Sequence, residues 1–209
     1  MSMLPHLRIG ACLAVAVTLT VPAVADAALM TYTFEAPSFG LFQTTPLLNR
    51  APNIGAGGFL ATFSDSGAGA TDYFTVINTI PHNALMVGQI LSNAPNPPES
   101  LTVTFNQPVD QVLVDFAILT PGSLNFSSSA GNVSTNSSVV GGGNFQGGTL
   151  SFNSAVPFTS FTLSALSNAG AAALFTIDNL RVNAVPEPGT LALLGLALTG
   201  LAASRRRKQ

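Results

Sequence analysis

Val112-Leu113-Val114-Asp115-Phe116-Ala117-Ile118-Leu119 places a large apolar residue at every second position. Because successive side chains of a strand point to opposite faces, this reads as a β-strand with Val112, Val114, Phe116 and Ile118 facing a core. Phe161, Leu163 and Ala165 repeat the pattern further on. Outward from these two stretches, runs rich in Phe, Val, Ile and Thr recur at 30–34, 59–63, 73–77, 84–91, 101–105, 124–127, 150–153 and 174–182, separated by Gly, Pro and Asn clusters. About ten short strands with turn signals between them, and no helical period of useful length, predict an all-β sandwich. In Phe175-Thr176-Ile177-Asp178-Asn179-Leu180-Arg181-Val182 the apolar phase slips: Phe175 and Ile177 share one face, Leu180 and Val182 the other. A β-bulge at Asp178-Asn179 would return both pairs to the core.

The segment 28–184 has the length of one domain and needs no covalent staples to bury a core. It carries Glu35, Asp65, Asp72, Glu99, Asp110, Asp115 and Asp178 against Arg50 and Arg181, a net charge of −5. Phosphate neutralisation requires clustered cations, so a nucleic acid is excluded as a partner. Ser, Thr, Asn, Gln and Gly must cover the surface instead. Residues 93–98 are Pro-rich and predict a surface loop. Residues 127–148 are rich in Ser, Asn and Gly and predict a long hairpin with a flexible tip. The Asn-X-Ser triplets at Asn125, Asn132 and Asn136 are read as solvated loop residues.

Both ends differ from this middle. Arg8 precedes an apolar stretch from Ile9 to Val24, which ends in Ala23-Val24-Ala25-Asp26-Ala27. This is the pattern of a secretory signal peptide with two overlapping A-x-A cleavage options, after Ala25 or after Ala27; the second is favoured, giving a peptide of 1–27 removed by signal peptidase after passage through the secretion machinery. Cys12 is the only cysteine, so cleavage leaves a mature chain without disulfides, thiol catalysis or cysteine zinc sites. At the other end, Val185-Pro186-Glu187-Pro188-Gly189 cannot join a helix or a central strand, because its prolines fix φ and lack donors. An uncharged run at 190–203 follows, short for a transmembrane helix, and then Arg205, Arg206, Arg207 and Lys208, which the positive-inside rule keeps cytoplasmic. The segment 185–209 therefore reads as a temporary membrane stop.

That tail resembles the PEP-CTERM sorting signal of Gram-negative bacteria: a Pro-Glu-Pro motif, a short transmembrane helix and an Arg-rich terminus, in that order. The resemblance implies exosortase as the partner. It also implies membrane anchoring before processing, then transfer to the cell surface or the extracellular polysaccharide. Leu101-Thr102-Val103-Thr104-Phe105-Asn106-Gln107-Pro108-Val109, with the strand around Phe116 and the closing Phe175 to Leu180, resembles the jelly-roll ectodomains of such proteins, similar in turn to galactose-binding-like and carbohydrate-binding modules. The fold implied is a jelly-roll-like β-sandwich. In some such modules a Glu of the first strand and an Asp of the last hold a structural calcium, and Glu35 and Asp178 occupy the matching places. Calcium takes six to eight oxygen ligands, of which two carboxylates supply a part. The plainer alternative has Asp178 capping the bulge and Glu35 solvated.

Catalytic constellations are not legible. His82 is the one histidine beyond the signal peptide, and its neighbours read as a turn. Gly141-Gly142-Gly143 precedes a strand and not a helix, so it is no phosphate loop. Asp110 and Asp115, an odd number apart, fall on opposite faces of one strand. The expectation is a non-catalytic domain sorted to the surface. A carbohydrate-binding module of the exopolysaccharide matrix is the first alternative and an extracellular hydrolase the second.

Overall fold

The structure, a computed structural model, describes residues 29–55, 58–66, 74–78, 83–93, 100–141 and 145–185. The signal peptide, His82, most of the 93–98 loop, Pro186 to Pro188, the apolar run and Arg205 to Lys208 lie outside them. Among the described residues no helix is long and apolar enough to cross a membrane.

Among the described residues ten antiparallel strands form one sheet: β1 Leu29–Tyr32, β2 Leu47–Arg50, β3 Ala61–Asp65, β4 Phe74–Asn78, β5 Gln89–Asn93, β6 Leu101–Ile118, β7 Gly122–Ser128, β8 Gly131–Asn136, β9 Gln146–Ser167 and β10 Phe175–Ala184. Two of them are long enough to serve both halves of a sandwich. The later part of β6 pairs with β10 and with the start of β9, whereas its first five residues pair with β3 and with the end of β9. Register breaks between Thr104 and Gln111, around Pro108, carry the strand from one half to the other. Half A is β4-β5-β10-β6-β9, with β1 also on β10; half B is β2-β3-β6-β9-β7-β8.

The halves meet across one apolar core. Val112, Val114, Phe116 and Ile118 are all fully buried there, as the alternation requires, and so are Leu163 and, nearly, Phe161 and Ala165. Tyr32 of β1 meets Phe63 of β3 edge to face at 5.7 Å between ring centroids, and Phe126 of β7 meets Phe152 of β9 at 4.5 Å. The bulge also stands where the sequence places it. Cross-strand partners run Asp178 with Asp115 and then Arg181 with Leu113, one residue more on β10 than on β6, and Asn179 takes a φ of 46°.

Three expectations need correction. Residues 127–148 do not form a long flexible hairpin: β7 and β8 pair in register through Ser128 and Gly131 around a two-residue turn. Asn125, Asn132 and Asn136 therefore lie on strands, not in loops. Only 89–91 of the expected strand 84–91 is extended; Gly88, at φ 74°, turns the preceding residues away from the sheet edge. The two runs within β6, and the two within β9, are single strands that continue past Pro108 and Pro157.

Tyr32 presents a test of the packing. Its ring is fully buried and its hydroxyl has no hydrogen-bond partner among the described residues, and burial pushes the phenol well above its usual range. An unpartnered buried hydroxyl costs its desolvation without return. Tyr32→Phe is expected to raise stability by about 1 kcal/mol, read as a shift of the denaturant midpoint at constant slope. A loss of stability would show that the hydroxyl is bonded in solution.

Candidate cation site

The bulge in β10 fixes Asp178. Its Oδ1 accepts the N–H of the next residue, Asn179, at 2.7 Å, a local lock of the kind Asp makes with its own backbone. Its Oδ2 accepts the Val87 N–H at 3.1 Å. Val87 belongs to the turn that Gly88 makes before β5. This 83–88 segment crosses the outer face of half A, where Met86 packs with Ile90 and Ala117 and receives the Thr176 hydroxyl at 3.7 Å.

Glu35 reaches the same turn from the other end of the chain. It follows Phe34, a buried residue held at φ 57°, where a bulky side chain is rarely found. The Glu35 carbonyl accepts the Phe39 N–H at 3.2 Å and the Asn53 side-chain amide at 2.9 Å. Its Oε1 accepts the Gln89 N–H at 2.6 Å. Gly88 is required here: a Cβ at that position would stand 1.8 Å from Glu35 Oε1. The sandwich thus brings Glu35 and Asp178 onto one three-residue stretch, and each sits beside a left-handed residue, Phe34 and Asn179. Strain of this sort gathers at sites that the surrounding fold over-determines.

Charge balance around Asp178 is incomplete. The residue is 1% exposed. Burial raises its carboxyl from 3.8 to about 7; the Val87 and Asn179 N–H groups pull it back, and the negative charges of Asp115 and Glu35 push it further up. Arg181 is committed elsewhere, donating to Asp115 at 3.0 Å, where Thr149 also donates at 2.5 Å. Asp178 has no cation partner among the described residues. Gln89, whose N–H holds Glu35, carries a buried side-chain oxygen without a partner.

These residues fit a hard cation in part. Two carboxylates converge on the Val87 to Gln89 turn, and both are oxygen donors of the kind calcium takes. Among the described residues no group of three His, Cys, Asp or Glu side chains is gathered, so backbone carbonyls and water would complete the shell. Gln89 and the 83–88 segment carry no sequence signal for this role, because the stretch reads as plain strand. Of the tail residues, Val185 is described: its N–H donates to the Pro108 carbonyl at 2.9 Å, so pairing continues to the last residue before the Pro-Glu-Pro motif.

Residues 184–208 match the family described as the PEP-CTERM protein-sorting motif. The chain therefore carries that sorting motif on an all-β domain. No curated protein matches it. Solved structures similar to it include the enzymatically active domain of tailspike protein 4 of bacteriophage CBA120, at 18% identity and a TM-score of 0.36, over 60% of this chain and 19% of that one. The chain thus spans about a fifth of the length of that solved domain. A variant of the family 29 carbohydrate-binding module CBM29-2 complexed with mannohexaose is similar at 10% identity and a TM-score of 0.35, over 77% of this chain and 93% of that one. A further family 29 module is similar at 11% identity and a TM-score of 0.28, over 59% and 88%.

Proposed function

We propose that this is an exported bacterial surface or extracellular-matrix protein, anchored for a time in the inner membrane by 190–203 and processed by exosortase at the Pro186-Glu187-Pro188 motif. The observation that supports it is the family match over 184–208, which spans the motif, the apolar run and the basic tail in order. In this reading Val185 to Pro188 form the recognised sequence, and Arg205 to Lys208 hold the tail in the cytoplasm. The 28–184 domain is non-catalytic, and Glu35 and Asp178 hold a structural calcium ion. When bound, the ion supplies the counter-charge that Asp178 lacks.

Intact-mass measurement of the protein recovered from the outer surface tests the sorting reading. The expected mass lacks both the signal peptide and the residues beyond the Pro-Glu-Pro motif. Recovery of full-length chain, arginines included, from a host with the sorting machinery overturns it. A second reading makes the domain a carbohydrate-binding module of the matrix. The scarcity of Tyr and absence of Trp weigh against a stacking platform, but the chemistry of one sheet face favours contact of another kind.

A further inference from the structure

The outer face of half B is a two-dimensional array of small uncharged hydrogen-bonding side chains. Cross-strand partners place Ser64, Thr102, Thr162, Ser127 and Asn132 in one row over five adjacent strands, β3-β6-β9-β7-β8. Thr62, Thr104 and Ser160 form the row on one side; Ser164, Asn125 and Ser134 form the row on the other. The residues alternating with them, such as Phe63, Val103, Leu163 and Phe126, are buried in the core, so all three rows face outward. The register across these rows is unbroken, with neighbours about 4.8 Å apart across strands and about 6.7 Å along them. The central row is about 19 Å long. Thr102 and Thr162 hydroxyls are linked at 3.1 Å, which holds the middle of the row in place.

No position in the three rows carries a charge or an aromatic ring. Exposed sheet faces ordinarily carry Lys and Glu, which keep a protein soluble and block sheet stacking. Here every side chain both donates and accepts hydrogen bonds. That chemistry complements an uncharged surface of repeating hydroxyl groups. It offers an anionic polymer no counter-charge, and the domain's excess of acids over its two arginines repels one. Single hydroxyl contacts in water are weak, but a regular array meeting a regular polymer forms many at once, and the second contact costs far less than the first.

We infer that this face binds the ordered surface of a neutral polysaccharide. The inference deepens the second reading above and names the residues that would serve it, with Thr102, Thr162 and Ser127 at the centre. Binding of this type is insensitive to salt, because no counterions are released.

The test measures retention of the full chain, in detergent, on microcrystalline cellulose, insoluble mannan and alginate-coated beads. Retention on a neutral polymer that persists from low to molar salt is expected. Thr102→Lys/Ser127→Lys/Thr162→Lys should lower the bound fraction about tenfold, equivalent to about 1.4 kcal/mol, with an unchanged melting temperature. Should the triple variant fail to fold, Thr162→Lys alone decides the matter against Ser151→Lys, which adds the same charge on the outer face of half A and should leave retention intact. Retention that is equal in Thr162→Lys and wild type overturns the assignment of the face while leaving the carbohydrate reading standing. Absence of retention on both neutral polymers overturns both. Salt-sensitive retention confined to alginate also overturns the inference. None of these outcomes touches the sorting reading.

Discussion

Phe63→Ala is expected to lower unfolding free energy by about 3–5 kcal/mol, the range for deleting a buried aromatic ring. Phe63 is fully buried on β3, and its ring meets Tyr32, Phe34 and Phe39 edge to face at 5.7, 5.6 and 5.7 Å. Three of its partners thus come from the first eleven described residues, which β1 and the following turn bring over from half A. Removing the ring opens a cavity where the halves join, and those partners can close it only by giving up their own contacts. A domain of this size has about 5–15 kcal/mol in total, so the variant gives up a large share of its stability and should unfold at clearly lower denaturant. Phe34 also sets the direction of Glu35. Any stabilisation by calcium should therefore shrink in Phe63→Ala, whereas Val139→Ala, at an exposed site, should change neither quantity. Denaturant titration with and without calcium reads both effects. A loss under 1 kcal/mol would mean that the halves are not locked through this ring.

The second large effect concerns pH. A carboxyl whose folded value is raised from 3.8 to about 7 keeps its proton in the native state while the unfolded chain has already released one. The native state then binds more protons, so stability falls as pH rises. The penalty is absent below pH 4, grows by up to about 1.4 kcal/mol per unit through the window from 4 to 7, and is level above it. In the proposed site, a calcium ion bound by Glu35 and Asp178 would take the place of that proton. Added calcium should accordingly raise the melting temperature clearly at pH 8 and little at pH 5. Asp178→Asn should flatten the profile between pH 4 and 7 and abolish the calcium response. At pH 5 it should be about 1 kcal/mol less stable than wild type, since one amide oxygen cannot accept from both Val87 and Asn179. Equal calcium shifts in the variant and the wild type would dismiss the ion; a flat wild-type profile without calcium would dismiss the raised carboxyl.

What was legible in the chain followed the core. Strands with one apolar face announce themselves by their period, which is why β6, the end of β9 and the bulge at Asp178-Asn179 could all be placed. Strands without such a face could not. In β8, Gly131-Asn132-Val133-Ser134-Thr135-Asn136 offers one apolar side chain, and its register is set by β7 instead of by burial. In β2, Leu48 points outward and Asn49 is left-handed, so no alternation survives. The runs on either side of Pro108 and of Pro157 read as separate strands, but the long strands carry both prolines at irregular positions. For the cation site, the two acids were legible only through resemblance to other modules. Their meeting point on Val87-Gly88-Gln89 was not, because it depends on where a turn folds back over the sheet.

Pairing of β10 runs as far as Val185, next to the Pro-Glu-Pro motif, and this has a mechanical consequence. β10 lies inside half A, bonded to β6 along one edge and to β5 and β1 along the other. Its hydrogen bonds stand perpendicular to the strand. A tug on Val185 is therefore directed along β10 and strains all of those bonds together in shear, where a peripheral strand would peel away one bond at a time. A protein held by this end would resist being dragged off its support until the whole strand gave way at once.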